Sequence, residues 1–173
     1  MIIFVNLVLK QMLPTSRNTK IFKWGMNLYP MFFGTGGKII HISKDWKEVT
    51  IKLRKNIWSK NYVGTIFGGS MFSAADPFYM LMFLHILGRK DFVVWDKSAS
   101  IKFIAPAKNT LYTSLNITED DIMMIRNSIK DNGFITFDKT IEWKDDSGKV
   151  HAVITRTIYA ASKDYYNNRK KTS

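Results

Sequence analysis

The sequence predicts an α+β domain in which a long central helix is wrapped by a curved antiparallel sheet, behind an N-terminal helical extension. Three observations lead there. The run from Ser70 to Leu87 is apolar almost throughout and too long for a strand. Segments of period-two alternation lie on both sides of it, and short turns make several of them antiparallel neighbours. A further helix start, Thr118 followed by Glu119, Asp120 and Asp121, interrupts the strands. No repeat or linker divides the chain, and its 173 residues suffice for one core. The expected organisation is a helical extension over 1–36, a single domain over 37–163 and a basic tail over 164–173.

Taken in order, the opening MIIFVNLVLKQML is apolar as far as Leu13 and reads as a docking helix, with membrane-surface binding the alternative. It falls short of the ~20 residues that span a bilayer. It also lacks a basic n-region and a small-residue cleavage site, so neither a transmembrane segment nor a signal peptide is expected. A second helix places Ile21, Trp24 and Leu28 on one stripe and stops at Pro30. Two strands follow about a KDWK turn, with Val49, Ile51 and Leu53 alternating against Lys52 and Arg54. Within the long helix, Pro77 removes a backbone donor beside Asp76 and predicts a kink. Beyond it, Val93, Trp95, Ala99, Ile101 and Phe103 are expected to face inward, with Asp96, Ser98, Ser100 and Lys102 on the other face. Lys97 breaks this alternation, either at a frayed edge or to meet a carboxylate or phosphate. Leu111 to Ile117 reads as a strand, Ile122, Ile125 and Ile129 as the buried stripe of a helix ending at Gly133, and DDSG as a hairpin turn between Phe134–Lys144 and Val150–Ala161.

Composition narrows the chemistry. With no cysteine, disulfides, thiolate metal sites and cysteine nucleophiles are excluded, which is compatible with the reducing cytoplasm expected here. A net charge of +12 attracts polyanions, among them nucleic acid, anionic lipid and the phosphates of coenzyme A. Its lysines are spread along the chain with no nucleic-acid-binding signature, so a specific nucleic-acid partner is not expected. His41, His85 and His151 are the only histidines, and they lack metal-ligand spacing and a nucleophile partner, so no metal is expected. His85, nine residues after Asp76, falls on the opposite side of an ideal helix.

The stretch NYVGTIFGGSMFSAAD, residues 61–76, carries the candidate site. Gly68 and Gly69 open the helix, so their N–H groups lack intrahelical acceptors and sit at its positive end, where a carbonyl oxygen or anion can bind. Asp76 is a lone carboxylate among apolar residues and requires either a partner or a role. The spacing of Asn61, Gly64, Phe67, Gly68, Gly69 and Asp76 resembles the signature of hotdog-fold thioesterases similar to phenylacetyl-CoA thioesterase, except that Phe67 stands where that signature has histidine. SIKFIAPAKNTL (100–111) and IEWKDDSGKVHAVITRTIYA are similar to the central strand and closing hairpin of that superfamily. The whole layout most resembles a branch catalogued as a domain of unknown function.

The resemblance implies the hotdog fold, a homodimer or dimer of dimers with active sites at the subunit interface, and an acyl-CoA or acyl-carrier thioester as substrate. It implies Gly69 N–H as the group polarising the carbonyl, Asp76 as base or nucleophile, and Asn61 as the catalytic residue that helps position water or the carbonyl. Gly64, Phe67, Gly68 and Lys97 are the candidate substrate contacts. No cofactor is implied, since coenzyme A enters as part of the substrate. Phe67 cannot hydrogen-bond a carbonyl but can wall an acyl channel. Two readings therefore stay open: a thioesterase, or a noncatalytic acyl-CoA- or lipid-binding module.

Overall fold

The apolar run folds as a helix broken at Asp76 and Pro77, both of which keep right-handed helical backbone angles. In the computed structural model, which describes residues 18–171, Gly68–Ala75 and Phe78–Leu87 are separated at Asp76 and Pro77. Proline has no N–H to offer the preceding turn, and the break falls where the sequence places it. These helices are α3 and α4. Before them come α1 (Thr19–Leu28), α2 (Pro30–Phe33), β1 (Gly37–Ile42) and β2 (Glu48–Leu53). After them come β3 (Phe92–Phe103), β4 (Leu111–Asn116), α5 (Glu119–Asn132), β5 (Phe134–Lys144), β6 (Val150–Ser162) and α6 (Lys163–Lys171). The opening apolar segment to Leu13 lies outside the described residues.

All strands form one antiparallel sheet in the order β1-β2-β4-β5-β6-β3. The helix pair packs into its concave face, with Met71, Ala74, Ala75, Phe78, Met82 and Phe83 buried against Ile51, Leu53, Leu115, Ile141 and Ile154. Trp143 of β5 donates from its indole Nε1 to the Met71 carbonyl at 2.9 Å, a buried bond that sets the depth of α3 in the sheet. By length and composition Gly68–Leu87 could cross a bilayer. Half of it is buried in the core of this domain, and Phe72, Met80 and Leu84 remain partly open.

Local signals hold where the chemistry is local. Thr118 caps α5 through Asp121 N–H, the Asp121 carboxylate returns to Thr118 N–H, and Gly133 closes the helix at φ 81°. Burial opposes ionisation of Asp121, but its bonds from Lys139 and from the cap hold its carboxyl below the ordinary value. Ile122, Ile125 and Ile129 are its buried stripe.

Two inward faces differ from expectation. On α1 the buried residues are Phe22 and Met26, while Ile21, Trp24 and Leu28 are exposed. The helix is turned by Asn27, whose amide donates to Ile39 O and accepts from Ile39 N–H at 3.0 and 2.7 Å, covering the free edge of β1. On β3 the register slips between Asp96 and Ser98, so Lys97 is the extra residue of a β-bulge. The bulge reverses the alternation that an unbroken strand would keep. Val94 and Asp96, paired with Ala160 and Ile158, therefore face the helices, and Trp95 faces out, whereas Ala99, Ile101 and Phe103 lie on the expected face.

Candidate functional site

The 54–67 loop is built to present the start of α3. Asn61 takes up its side-chain amide on Thr65, donating from Nδ2 to Oγ1 at 2.8 Å and accepting the Thr65 N–H at 2.9 Å. Gly64 at φ 81° supplies the left-handed turn between them. Ile66 N–H donates to Ala107 O, and Phe67 N–H to Ser59 O, so the loop is stitched to the segment after β3 and to its own beginning. The helix then starts with Phe67 O accepting from Ser70 and Met71 N–H, and Gly68 and Gly69 N–H have no backbone acceptor among the described residues.

These N–H groups border an open cavity of about 850 Å³, walled by Asn61, Ile66, Phe67, Met71, Phe103 and the 104–108 segment, with Lys108 at its rim. The lining is mostly apolar. Two aromatic rings close on the glycines: a Cβ at Gly68 would fall 2.5 Å from Phe103, and one at Gly69 would fall 2.3 Å from Phe67. Only glycine lets both rings lie this close to the helix start. The far wall is anchored by His151, whose Nδ1 is 3.3 Å from Ala105 O and whose Nε2 is 2.9 Å from Asp145 Oδ2. That carboxylate, bonded by His151 and Ser147, ionises well below its ordinary range.

Of the residues singled out from sequence, Asn61, Phe67, Gly68 and Gly69 meet at this cavity, and Gly64 shapes the loop behind it. Asp76 does not join them within one chain. It lies at the other end of α3, in a separate cavity of about 340 Å³ with Tyr29, Met31, Phe72 and Pro77. Lys97 is exposed at the β3 bulge, on the sheet edge, and lines neither cavity. His85 stacks on Trp46 with centroids 3.6 Å apart.

Asp76 has a partner that sequence reasoning missed. Arg156 of β6 is 1% exposed, and its Nη1 donates to Asp76 Oδ1 and to Asp96 Oδ2, each at 2.9 Å, while Nη2 reaches the Phe72 carbonyl at 3.4 Å. The guanidinium also lies over the Phe72 ring, 5.0 Å from its centroid. Burial pushes the Asp96 carboxyl up, Arg156 pulls it down, and the neighbouring Asp76 charge adds a further upward push; the net direction is up. The Asp76 side chain is 56% exposed, so its carboxylate is held at one oxygen yet open to solvent. The signal was present: Ala152, Ile154, Arg156, Ile158 and Ala160 alternate, and the arginine occupies an inward slot. A buried cation there demands carboxylates opposite it.

Solved structures share this architecture. The protein PA5026 from Pseudomonas aeruginosa, of unknown function and described as a probable thioesterase, superposes with a TM-score of 0.75 at 16% identity, covering 83% of this chain and 95% of its own. OLEI01261 from Chlorobaculum tepidum, of unknown function, gives 0.63 at 12% identity over 90% and 95%. The thioesterase HI1161 from Haemophilus influenzae gives 0.60 at 10% identity over 87% and 95%. The fold is the thioesterase-like hotdog fold, α+β in class. Within it, the chain belongs to the family described as Domain of unknown function (DUF4442), which matches residues 18–160. No curated protein matches the sequence.

Proposed function

We propose that the protein hydrolyses an acyl thioester of coenzyme A or of a carrier protein, as a cytoplasmic homodimer or dimer of dimers. The cavity at the start of α3 carries this reading, because it joins backbone donors to an apolar wall and a cationic rim. The acyl group lies against Phe67, Met71 and Phe103, and the thioester oxygen accepts from Gly69 N–H. Lys108, in the cavity lining, takes the phosphates of the carrier, and Lys97, which lines neither cavity, contributes only from a second copy. Asp76 of a second copy completes the site across the dimer interface. As base it takes a proton from water while the oxygen adds to the carbonyl carbon; the C–S bond then breaks and the thiolate takes up the proton. Asn61 acts through Thr65, holding the loop that walls the cavity. Arg156 positions the Asp76 carboxylate at Oδ1.

A noncatalytic acyl-CoA-binding module is the second reading. It is favoured by the Phe67 ring against Gly69 and by the tie between Asp76 and Arg156. Asp76→Asn separates the two. It keeps shape, and Asp96 remains to neutralise Arg156. Thiol release from a panel of acyl-CoAs is expected to fall on the order of a hundredfold or more in the variant, with acyl-CoA affinity by calorimetry changed only a few-fold. Undiminished turnover removes Asp76 from catalysis, and a wild-type chain that binds acyl-CoA but releases no thiol establishes the module.

A further inference from the structure

A second surface of the molecule is apolar, exposed and basic at once. Between β2 and α3 the chain reads RKNIWSKNYV, and Ile57 and Trp58 stand 86% and 69% exposed at the loop's outer face. Trp58 lines one groove with Leu28, at the end of α1, and Phe33, at the end of α2, which are themselves more than half exposed. Arg54 and Lys38 line the same groove. Folded soluble domains rarely leave a patch of this kind, with large apolar side chains from two segments side by side, without something to bind it.

Charge selects the partner. From Asn18 to Phe67 the only acidic residues are Asp45 and Glu48. Both belong to the turn end of the β1–β2 hairpin, whereas Lys38 and Arg54 stand at its open end, where Gly37 pairs with Leu53. A second copy of a chain of charge +12 would bring like charges together here. An anionic bilayer offers opposite charge and an apolar interior at the depth of the exposed side chains, and tryptophan favours that boundary.

We propose that the face where the ends of α1 and α2 meet the 54–63 loop docks on an anionic lipid bilayer, with Trp58 and Ile57 inserted among the acyl chains and Arg54, Lys55 and Lys38 against the headgroups. Val63, on the same loop, lines the 850 Å³ cavity, so docking sets that cavity beside the lipid surface. The proposal does not depend on thioester hydrolysis.

The test is co-sedimentation of the full chain with vesicles of phosphatidylcholine alone or mixed with phosphatidylglycerol. Binding is expected to the anionic vesicles, weakened by salt. Replacing Ile57 and Trp58 together by serine lowers it on the order of tenfold or more, and Arg54→Glu with Lys55→Glu does the same, each cation being worth roughly fivefold at an anionic surface. No binding to anionic vesicles overturns the proposal. So does binding that both variants retain, which assigns attachment to diffuse charge or to residues 1–17. Loss of an oligomer in either variant with vesicle binding unchanged gives the face to a second copy, and also overturns it.

Discussion

Phe67 and Gly69 define the chemistry available at the start of α3. The phenylalanine is 56% exposed and its ring lies against the glycine Cα, so it shields one side of the helix terminus without being part of the core. An imidazole at the same position could reach a bound carbonyl that the phenyl ring can only flank. Under the hydrolytic reading, Phe67→His therefore raises thiol release from a short or aromatic acyl-CoA, up to about a hundredfold, the effect typical of one added oxyanion donor. The gain disappears in combination with Asp76→Asn. Under the binding reading the ring is a wall of the acyl channel, and the same substitution weakens affinity and creates no turnover. Steady-state hydrolysis and calorimetry on the single and double variants check both. Asp76 is the more constrained residue. Its carboxylate shares one guanidinium nitrogen with Asp96, so each carboxylate covers for the other when one is removed, whereas loss of Arg156 leaves two negative charges facing each other beside the core.

The β5–β6 hairpin links a turn to the cavity wall through one side chain. Asp145 Oδ1 accepts from Ser147 N–H, Ser147 Oγ and Lys149 N–H, and Oδ2 meets His151, which also contacts Ala105. Because the carboxyl ionises well below its ordinary 3.8, folding favours its charged form. The resulting stability is present above that ordinary value and is lost as pH falls through the depressed one. Asp145→Asn keeps an acceptor for the turn but removes the charge. It is expected to unfold at lower urea than the wild type at pH 7, with the gap closing as the titration is carried below about 3.8. A gap independent of pH would show that the bond geometry alone matters. The same scale explains what could be read from sequence. The α5 cap, the DDSG turn and the Pro77 break were legible because each is decided by a few adjacent residues. The inward face of β3 was not, because the bulge at Lys97 has no residue signature and inverts every position before it. The α1 face was missed for a related reason, since Asn27 turns the helix by bonding the backbone of a distant strand edge. At the site, the glycine start of the helix was legible from Gly68 and Gly69, while the tie of Asn61 to Thr65 was not, and the Arg156–Asp76–Asp96 cluster depends on three segments meeting and on the bulge that aims Asp96 inward.

At the scale of the molecule, Gly69 and Asp76 lie at opposite ends of α3, and the hydrolytic reading brings them together only through a second copy. One end carries Gly69 and the open cavity; the other carries Asp76, half exposed and facing a smaller one. The sheet also ends on β3, a twelve-residue strand with Trp95 on its outer face and one row of backbone groups that no strand among the described residues pairs. A long edge of this kind pairs with another strand unless it is guarded, and a two-fold axis beside it would bring the α3 helices of two chains together in opposite directions. A composite site makes a prediction that a site within one chain does not. Asp76→Asn and Gly69→Val chains, the second with its cavity floor blocked, are each expected to hydrolyse thioester poorly on their own. Unfolded together and refolded as a mixture, half of the dimers are mixed. Each mixed dimer then holds one site with both lesions and one with neither, so roughly one site in four of the mixture recovers wild-type turnover. Thiol release from the refolded mixture, compared with the sum of the separately refolded variants, measures this directly. Activity no greater than that sum would place Asp76 and Gly69 of any working site in the same chain, or remove one of them from the chemistry.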